Sequence, residues 1–193
     1  MGLLNMIHKK LGRVRVSFII LQSSLSEDFA RYYPHRGFSF LKLFRAILFH
    51  PGLLAVFIMR IQIFFFDTGN YRLAGLARSI NCAITGADFV MGCQIGPGLQ
   101  IVHPVGVVVG YSAIIGKSCT LMQQTTLGQL NIDGGPAAPN PTLGDGVIVS
   151  AGAKILGGVN IGENSVIGAN SVVLKDVPAG CTAVGVPAKI LRR

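Results

Sequence analysis

Residues 143–173 read LGDGVIVSAGAKILGGVNIGENSVIGANSVV, and an aliphatic residue returns at every sixth position of this stretch. The same apolar period continues towards the N-terminus as far as Phe89. The thirteen positions that carry it are Phe89, Ile95, Ile101, Val109, Ile115, Leu121, Leu127, Leu143, Val149, Ile155, Ile161, Ile167 and Val173. A period of six suits neither an α-helix nor a simple strand, so each hexad is expected to be a short strand followed by a turn. The repeat therefore predicts a parallel β-helix, with three hexads in each triangular coil and the aliphatic side chains stacked along its axis.

Two further positions of each hexad are restricted in size. Glycine directly follows the apolar position in seven of the thirteen cases, of which Gly96 is the first. A small or β-branched residue, such as Cys93 or Val105, stands four residues after the apolar position in most hexads. We expect the glycines to relieve the backbone at the corners and the small side chains to point inward where each corner narrows.

The first 80 residues lack the six-residue period and predict helices. The expected elements are a helix that begins at Ser24, apolar helices over 38–49 and 52–66, and a link over 67–82. The chain is therefore predicted to consist of a helical N-terminal segment, residues 1–82, and a β-helix domain, residues 83–193.

Positive charge is concentrated in the N-terminal segment. Residues 1–80 hold 11 Lys and Arg against 3 Asp and Glu, whereas residues 81–193 hold 6 against 5. No nucleic-acid-binding motif accompanies this charge, so a nucleic-acid partner is not expected. Pro51 divides the apolar run, so no helix is expected to span a bilayer. The helices are expected to pack on the first coils or on a neighbouring subunit, with an amphipathic helix on an anionic membrane surface as the alternative.

Cysteine usage bears on the compartment. The four cysteines are Cys82, Cys93, Cys119 and Cys181, and none forms a CxxC pair. We expect them to be reduced core residues rather than disulfides or metal ligands. Together with the lack of a secretory signal pattern, this favours the cytoplasm, with the inner face of the membrane as a further expected location.

The repeat is interrupted twice, and a regular coil leaves no room for chemistry, so the interruptions are the candidate site. The step from Ile101 to Val109 is eight residues and ejects His103 from the wall. The step from Leu127 to Leu143 is sixteen residues, which predicts a loop. An imidazole held by a carboxylate is a suitable base for a hydroxyl. Asp88, fifteen residues before His103, is expected to reach the same corner from the neighbouring coil.

These residues resemble the hexapeptide-repeat acyltransferases, and most closely the serine acetyltransferases. The matching segments are Ile95-Gly96-Pro97-Gly98, Ile101-Val102-His103, Gly106-Val107-Val108-Val109-Gly110, Thr126-Leu127-Gly128, Ala151-Gly152-Ala153-Lys154-Ile155-Leu156-Gly157 and Gly185-Val186-Pro187-Ala188-Lys189. The resemblance implies a left-handed β-helix, a homotrimer, and acetyl-CoA bound as co-substrate in the groove between two subunits. It implies that His103 is the general base for direct attack on the thioester and that Asp88 orients it. The residues it places along the cofactor groove are Gly128, Ala151, Ala169 and Lys189.

The sequence differs from the family's pattern at positions that bind the acceptor. Val102 stands where serine acetyltransferases carry an aspartate, and Pro139-Asn140 stands where they carry an Arg-His pair. We take Gln129 and Asn140 as the acceptor-loop residues. Because the missing groups would hold the charged ends of serine, we expect a saccharide or similar hydroxyl as the acceptor, with serine as the alternative small-molecule acceptor.

Two alternative functions belong to other classes of protein, a zinc-dependent carbonic anhydrase and a non-catalytic assembly module. A zinc-dependent carbonic anhydrase of this fold needs several histidines, and His103 is the only one in the coils, so no metal is expected. A non-catalytic assembly module needs no base on a bulge, so His103 and Asp88 argue against it.

Overall fold

A computed structural model of the chain describes residues 2–130 and 139–191, with residues 2–11 described through their backbone alone. In this part of the chain four helices precede the strands: α1 (Gly2–Tyr32), α2 (Phe40–Phe49), α3 (Pro51–Asp67) and α4 (Tyr71–Thr85). The strands that follow are β1 (Asp88–Phe89), β2 (Gln94–Ile95), β3 (Gln100–Ile101), β4 (Val108–Val109), β5 (Ile114–Ile115), β6 (Thr120–Leu121), β7 (Thr126–Gly128), β8 (Thr142–Leu143), β9 (Ile148–Val149), β10 (Lys154–Leu156), β11 (Asn160–Ile161), β12 (Val166–Ile167), β13 (Val172–Val173), β14 (Thr182–Val184) and β15 (Lys189–Leu191).

The strands stack into three sheets that form the faces of a parallel β-helix, as the repeat predicts, and the coil is left-handed, as the family resemblance implies. The first sheet has the order β1-β4-β7-β10-β13, the second β11-β8-β5-β2, and the third β15-β14-β12-β9-β6-β3. All pairings are parallel except that of β15 with β14. Val108 pairs with Thr126, one regular coil of 18 residues later, whereas Asp88 pairs with Val108, 20 residues later. The extra two residues are those of the bulge that carries His103.

The stacked apolar positions form the core. Twelve of the thirteen predicted inward side chains are at most 2% exposed, and Ile95 is half-buried against the same cluster. The prediction of small inward residues also holds for Cys93, but Val105 is 64% exposed. Val105 turns outward because the bulge adds two residues, and the fully buried Val107 takes the inward place before β4.

The glycines after the apolar position have a different role from the one expected. They are not the turn residues, because positive φ angles occur three residues after the apolar position, as at Ser118 (54°) and Asn164 (56°). A Cβ added at Gly96 would instead lie 2.7 Å from the backbone carbon of Gly116 in the next coil. Except at Gly128, these glycines therefore allow adjacent coils to approach each other, and the left-handed turn is made by glycine, asparagine, serine or glutamine further along.

The helices cover the open edge of the first coil through side chains that bind its backbone. Arg60 of α3 donates to the carbonyl oxygens of Ile95 (2.7 Å) and Gly96 (2.6 Å). The same guanidinium binds both carboxylate oxygens of Asp28 on α1, at 2.8 and 3.0 Å. Asp28 in turn accepts from the amide of Leu99. Burial raises the pKa of Asp28, and the charge and hydrogen bonds of Arg60 oppose this rise.

Several helical predictions need correction. The first helix is continuous from Gly2 and does not begin at Ser24. The expected link over 67–82 contains most of α4, which ends at Thr85, beyond the predicted boundary at 82. Cys82 on α4 is exposed and is not a core residue, whereas Cys93, Cys119 and Cys181 are buried free thiols as expected. Over the residues described, the helices are each too short or too polar to cross a membrane.

Candidate functional site

The His103 bulge lies at the corner between the third sheet and the first, in the turn that joins β3 to β4. His103 is exposed, and the turn is closed by a bond from the Val107 amide to the carbonyl of Pro104 (3.1 Å). The amide of Gly106 binds the carbonyl of Gly86 (2.9 Å), at the end of α4. The bulge therefore presents an imidazole to solvent on a backbone that is fixed on both sides.

Tyr32, at the end of α1, anchors the base of the bulge. Its hydroxyl donates to the carbonyl of Ile101 (2.8 Å) and accepts from the amide of the same residue (3.0 Å). Burial raises the pKa of Tyr32 well above its ordinary value, so the phenol stays protonated and can make both bonds. Gly52 of α3 packs on the same carbonyl, since a Cβ at Gly52 would lie 1.9 Å from it. Two helices thus hold the strand that ends two residues before His103.

The predicted groove residues Ala151 and Ala169 occupy the same corner as His103, in later coils. They follow β9 and β12 of the third sheet, as His103 follows β3. The amide of Asn170 binds the carbonyl of Ala151 (2.8 Å), so the two alanines lie in consecutive coils. We call this corner the His103 edge. Lys189 is exposed and pairs with Val184 at the far end of the third sheet, which places it near the last coil of the same edge.

Gly128, Gln129 and Asn140 lie at another corner, between the first sheet and the second. Gly128 ends β7, and Asn140 precedes β8. Asn140 is buried, and its side-chain nitrogen lies 3.5 Å from the hydroxyl of Ser112. Residues 131–138 of the predicted loop lie outside the described residues. We call this corner the loop edge. The strands of the first sheet run from the His103 edge to the loop edge, so one chain does not bring the two sets of residues together.

Asp88 is the first residue of β1 and lies on the coil next to the bulge. Its amide donates to the carbonyl of Val107 (2.8 Å), and it pairs with Val108 in register. Its carboxylate binds Arg78 of α4 through two hydrogen bonds, Nε to Oδ1 at 2.6 Å and Nη2 to Oδ2 at 2.8 Å. The hydrogen bond to Asp88 raises the pKa of Arg78. The orientation of His103 by Asp88 stays a prediction, because the bonds described for this carboxylate go to Arg78.

Arg78 and Asp88 line an open depression of about 620 Å³ between α4 and β1. Its other lining residues are Gly75, Ser79, Cys82, Ala83 and Met91. Sequence reasoning missed Arg78 because it treated residues 67–82 as a link. Apolar residues at Leu73, Leu76, Ile80 and Ile84 recur at helical spacing, and this signal predicts the helix that carries Arg78 but not its contact with Asp88.

In the part of the chain that the structure describes, no group of three or more His, Cys, Asp and Glu side chains is arranged to hold a metal ion.

A family model described as bacterial transferase hexapeptide (six repeats) matches residues 140–175. The chain is 39% identical to a serine acetyltransferase of Synechococcus elongatus over 147 residues, which are 76% of this chain and 59% of that protein. It is also 39% identical to a serine acetyltransferase of Helicobacter pylori, of which it covers 85%. The chain thus spans less than two thirds of the cyanobacterial relative and most of the second one.

Solved structures of the same name resemble the whole architecture. Soybean serine acetyltransferase complexed with serine is 34% identical and superposes with a TM-score of 0.79, over 89% of this chain and 70% of that one. A serine acetyltransferase in complex with CoA is 28% identical, with a TM-score of 0.77 over 95% of this chain and 74% of that one. The similarity therefore includes the helices as well as the coils.

Proposed function

Because this chain belongs to the serine acetyltransferase family of hexapeptide-repeat transferases, we propose that it transfers an acetyl group from acetyl-CoA to a hydroxyl, with serine as the acceptor. The observation that carries the proposal is the exposed His103, held on a fixed bulge beside the coil of Asp88. The names of the relatives favour serine and give no support to the saccharide acceptor expected from the sequence.

In the proposed reaction His103 is the general base. It removes the proton of the acceptor hydroxyl as the hydroxyl oxygen attacks the thioester carbon, and the carbon–sulfur bond then breaks to release the CoA thiolate. The imidazolium of His103 then returns this proton to the CoA thiolate, which leaves as the thiol and regenerates the base. Asp88 is assigned to hold the imidazole in the tautomer that accepts this proton. The backbone amide near Gly128 is assigned to the developing negative charge on the thioester oxygen.

The described residues suit a CoA thioester. Ala151 is half-buried and Ala169 exposed, so a long, thin ligand meets only a methyl group at each of these two positions of the His103 edge. A Cβ at Gly128 would approach nothing closer than 3.5 Å, so the wall is open there as well. Lys189 supplies a cation near the last coil for a phosphate of the cofactor. We infer that acetyl-CoA lies along these edges.

The two edges also argue for a homotrimer. The predicted base lies on the His103 edge, and the predicted oxyanion donor near Gly128 lies on the loop edge, across the width of the first sheet. A groove that contains both requires the His103 edge of one copy to face the loop edge of another. Such a head-to-tail contact can close into a ring, and the resemblance to the family implies three copies in it. Light scattering on the purified protein should give three times the chain mass of 20.4 kDa.

The first experiment measures CoA release from acetyl-CoA with L-serine and with a panel of sugars, nucleotide sugars and oligosaccharides. We expect turnover with serine, and a loss of about 10²- to 10⁴-fold in kcat for His103→Ala. The matched control is His35→Ala, since His35 is an exposed histidine in the loop between α1 and α2. Equal activity of His103→Ala and the unaltered protein would remove this mechanism.

A saccharide acceptor remains the second candidate because of the residues at two acceptor positions. Val102 is 42% exposed beside His103 and offers no charge to an ammonium group. Asn140 is likewise uncharged. Turnover with a saccharide and none with serine, both lost in His103→Ala, would favour this candidate over serine.

Contact with an anionic membrane surface stays a prediction, and α2 is the element that supports it. The exposed apolar side chains of this helix are Phe40, Leu41, Phe44, Leu48 and Phe49. Arg36, Lys42 and Arg45 line the groove beside them, and no acidic residue does. A second copy docked on the same face would oppose these cations to their own counterparts, whereas anionic lipid complements them.

The membrane prediction is tested by sedimentation with phosphatidylcholine vesicles, with and without phosphatidylglycerol. The protein should bind the anionic vesicles, and Phe44→Glu should abolish binding. Leu76→Glu is the matched control, since Leu76 is 56% exposed on α4. If Phe44→Glu leaves vesicle binding unchanged, or changes only the oligomer size, α2 is not a membrane-binding helix.

A further inference from the structure

We infer that the Arg78–Asp88 ion pair is the binding site for the charged ends of the acceptor amino acid, with Arg78 receiving its carboxylate and Asp88 its ammonium group. This inference rests on the proposed function and identifies residues that replace the missing acceptor groups. Val102 and Asn140 carry no charge, so the acceptor's charges must be met elsewhere if serine is the substrate.

The guanidinium of Arg78 has hydrogen-bond donors that Asp88 does not use. It binds Asp88 through Nε and one hydrogen of Nη2, which leaves the outer edge of the fork available. Among the residues described, no other acceptor for Arg78 is found. The side chain is 33% exposed and faces an open depression. A carboxylate can bind this outer edge with two parallel hydrogen bonds, the geometry that guanidinium groups favour.

The carboxylate of Asp88 can also accept a further hydrogen bond. Each carboxylate oxygen has two lone pairs: the bonds to Arg78 use one on each, and the bond assigned to the His103 imidazole uses a third, which leaves one for a further donor. The Asp88 side chain is 27% exposed. An ammonium group can therefore bind Asp88 while Arg78 remains in place. The ion pair is neutral as a whole and complements a zwitterion, whereas a group with a single charge would be repelled by one member of the pair.

The depression has room for a small amino acid. The wall formed by α4 is lined by the small residues Gly75, Ser79 and Ala83. A Cβ added at Gly75 would meet no atom within 4 Å. Its volume of about 620 Å³ exceeds that of serine, so water accompanies the ligand. Asp88 is hydrogen-bonded through its amide to Val107 of the bulge turn. The site thus lies on the coil that neighbours His103.

The test compares L-serine with serinamide, which keeps the hydroxyl and ammonium groups but lacks the carboxylate. Arg78→Gln should raise the KM for L-serine about 10- to 100-fold, the usual effect of removing a charged hydrogen-bond partner, with little change in kcat. The KM for serinamide should not rise, because its single positive charge gains nothing from Arg78, and the KM for acetyl-CoA should not change. Arg78→Lys keeps the charge but loses the fork, so we expect an intermediate KM for L-serine.

A second readout uses the unaltered protein and does not depend on the folding of a variant. Cys82 is exposed and lines the same depression. L-Serine should therefore slow the alkylation of Cys82 by iodoacetamide, and serinamide should protect it much less.

The results with serine and serinamide distinguish failure of the acceptor site from failure of the proposed function. If the unaltered protein acetylates serine but Arg78→Gln has a normal KM and serine does not protect Cys82, the ion pair is not the acceptor site. An equal loss with serine and serinamide would mean that Arg78 acts by holding Asp88, which also overturns the inference. If neither serine nor serinamide is acetylated by the unaltered protein, the proposed function fails, and the inference fails with it.

Discussion

The β-helix and the helical segment of this chain are stabilised in different ways. In the β-helix one position type recurs thirteen times, and nearly every copy is buried in the same stack. In the helical segment Ala55, Val56 and Met59 pack on the end of that stack, and single polar residues add specific hydrogen bonds to the coils. Arg60, Asp28 and Tyr32 each bind backbone atoms of the first coil. The destabilising effect of losing one stacked residue is spread over its apolar neighbours. Loss of one of these polar residues instead leaves specific hydrogen-bonding groups without partners.

The difference follows from the unpaired edge of a coil stack. Within the stack each coil satisfies the backbone of the next. The first coil has no preceding coil, so its carbonyls and amides need partners from elsewhere. Gln62 binds the carbonyl of Phe89, in the same way that Arg60 and Tyr32 bind later residues of that coil. The helices are thus a cap, and they also fix the segment that leads to His103.

The largest expected effect tests the cap. Arg60→Ala leaves Asp28 buried, with no counter-ion, and should lower the free energy of unfolding by about 3–5 kcal/mol, measured by chemical denaturation. The double variant Asp28→Leu/Arg60→Met should lose less, because no charge is left buried alone. A single variant as stable as the unaltered protein would show that the ion pair does not hold the helices.

A smaller effect is expected at the turns of the β-helix. Asn164 has a φ of 56°, a conformation in which a Cβ is unfavourable and asparagine is tolerated. Asn164→Ala should cost about 1–2 kcal/mol in the same denaturation measurement. Asn164→Gly is the control and should cost much less. Equal losses for both variants would mean that the asparagine side chain, rather than the φ angle, matters.

The stacked core should tolerate a small deletion. Ile155→Val removes one methylene from a fully buried side chain and should cost about 0.5–1.5 kcal/mol. The expected loss is below that of Arg60→Ala. The contrast between stack and cap would be wrong if this variant lost as much stability as Arg60→Ala.

The buried thiols of the coils and the exposed thiol of α4 should differ in reactivity in the unaltered protein. Burial raises the pKa of Cys93 to about 12, and it also raises the pKa of Cys119. Because the thiolate is the reactive form, iodoacetamide near neutral pH should modify exposed Cys82 first. Mass spectrometry of the digested protein measures the order of labelling. Faster labelling of Cys93 than of Cys82 would show that the first coil opens in solution.

The periodic part of the fold could be predicted from the sequence because each hexad repeats the same local requirement. The bulge of His103 and the loop after Gln129 were found as departures from that period. Arg78 could not be found in this way, because its role depends on α4 lying against β1. Tyr32 was missed for a similar reason, since 69 residues separate it from the strand it holds.

The sequence by itself determined the coil, the inward positions and the two places where the coil breaks, because a six-residue period is a local pattern that each hexad satisfies alone. Only the tertiary structure decided which side chains cap the first coil, that Arg78 pairs with Asp88, and that His103 and Gly128 lie on different edges. These depend on distances between residues far apart in the chain, and such distances are set by packing and hydrogen bonding over the whole molecule.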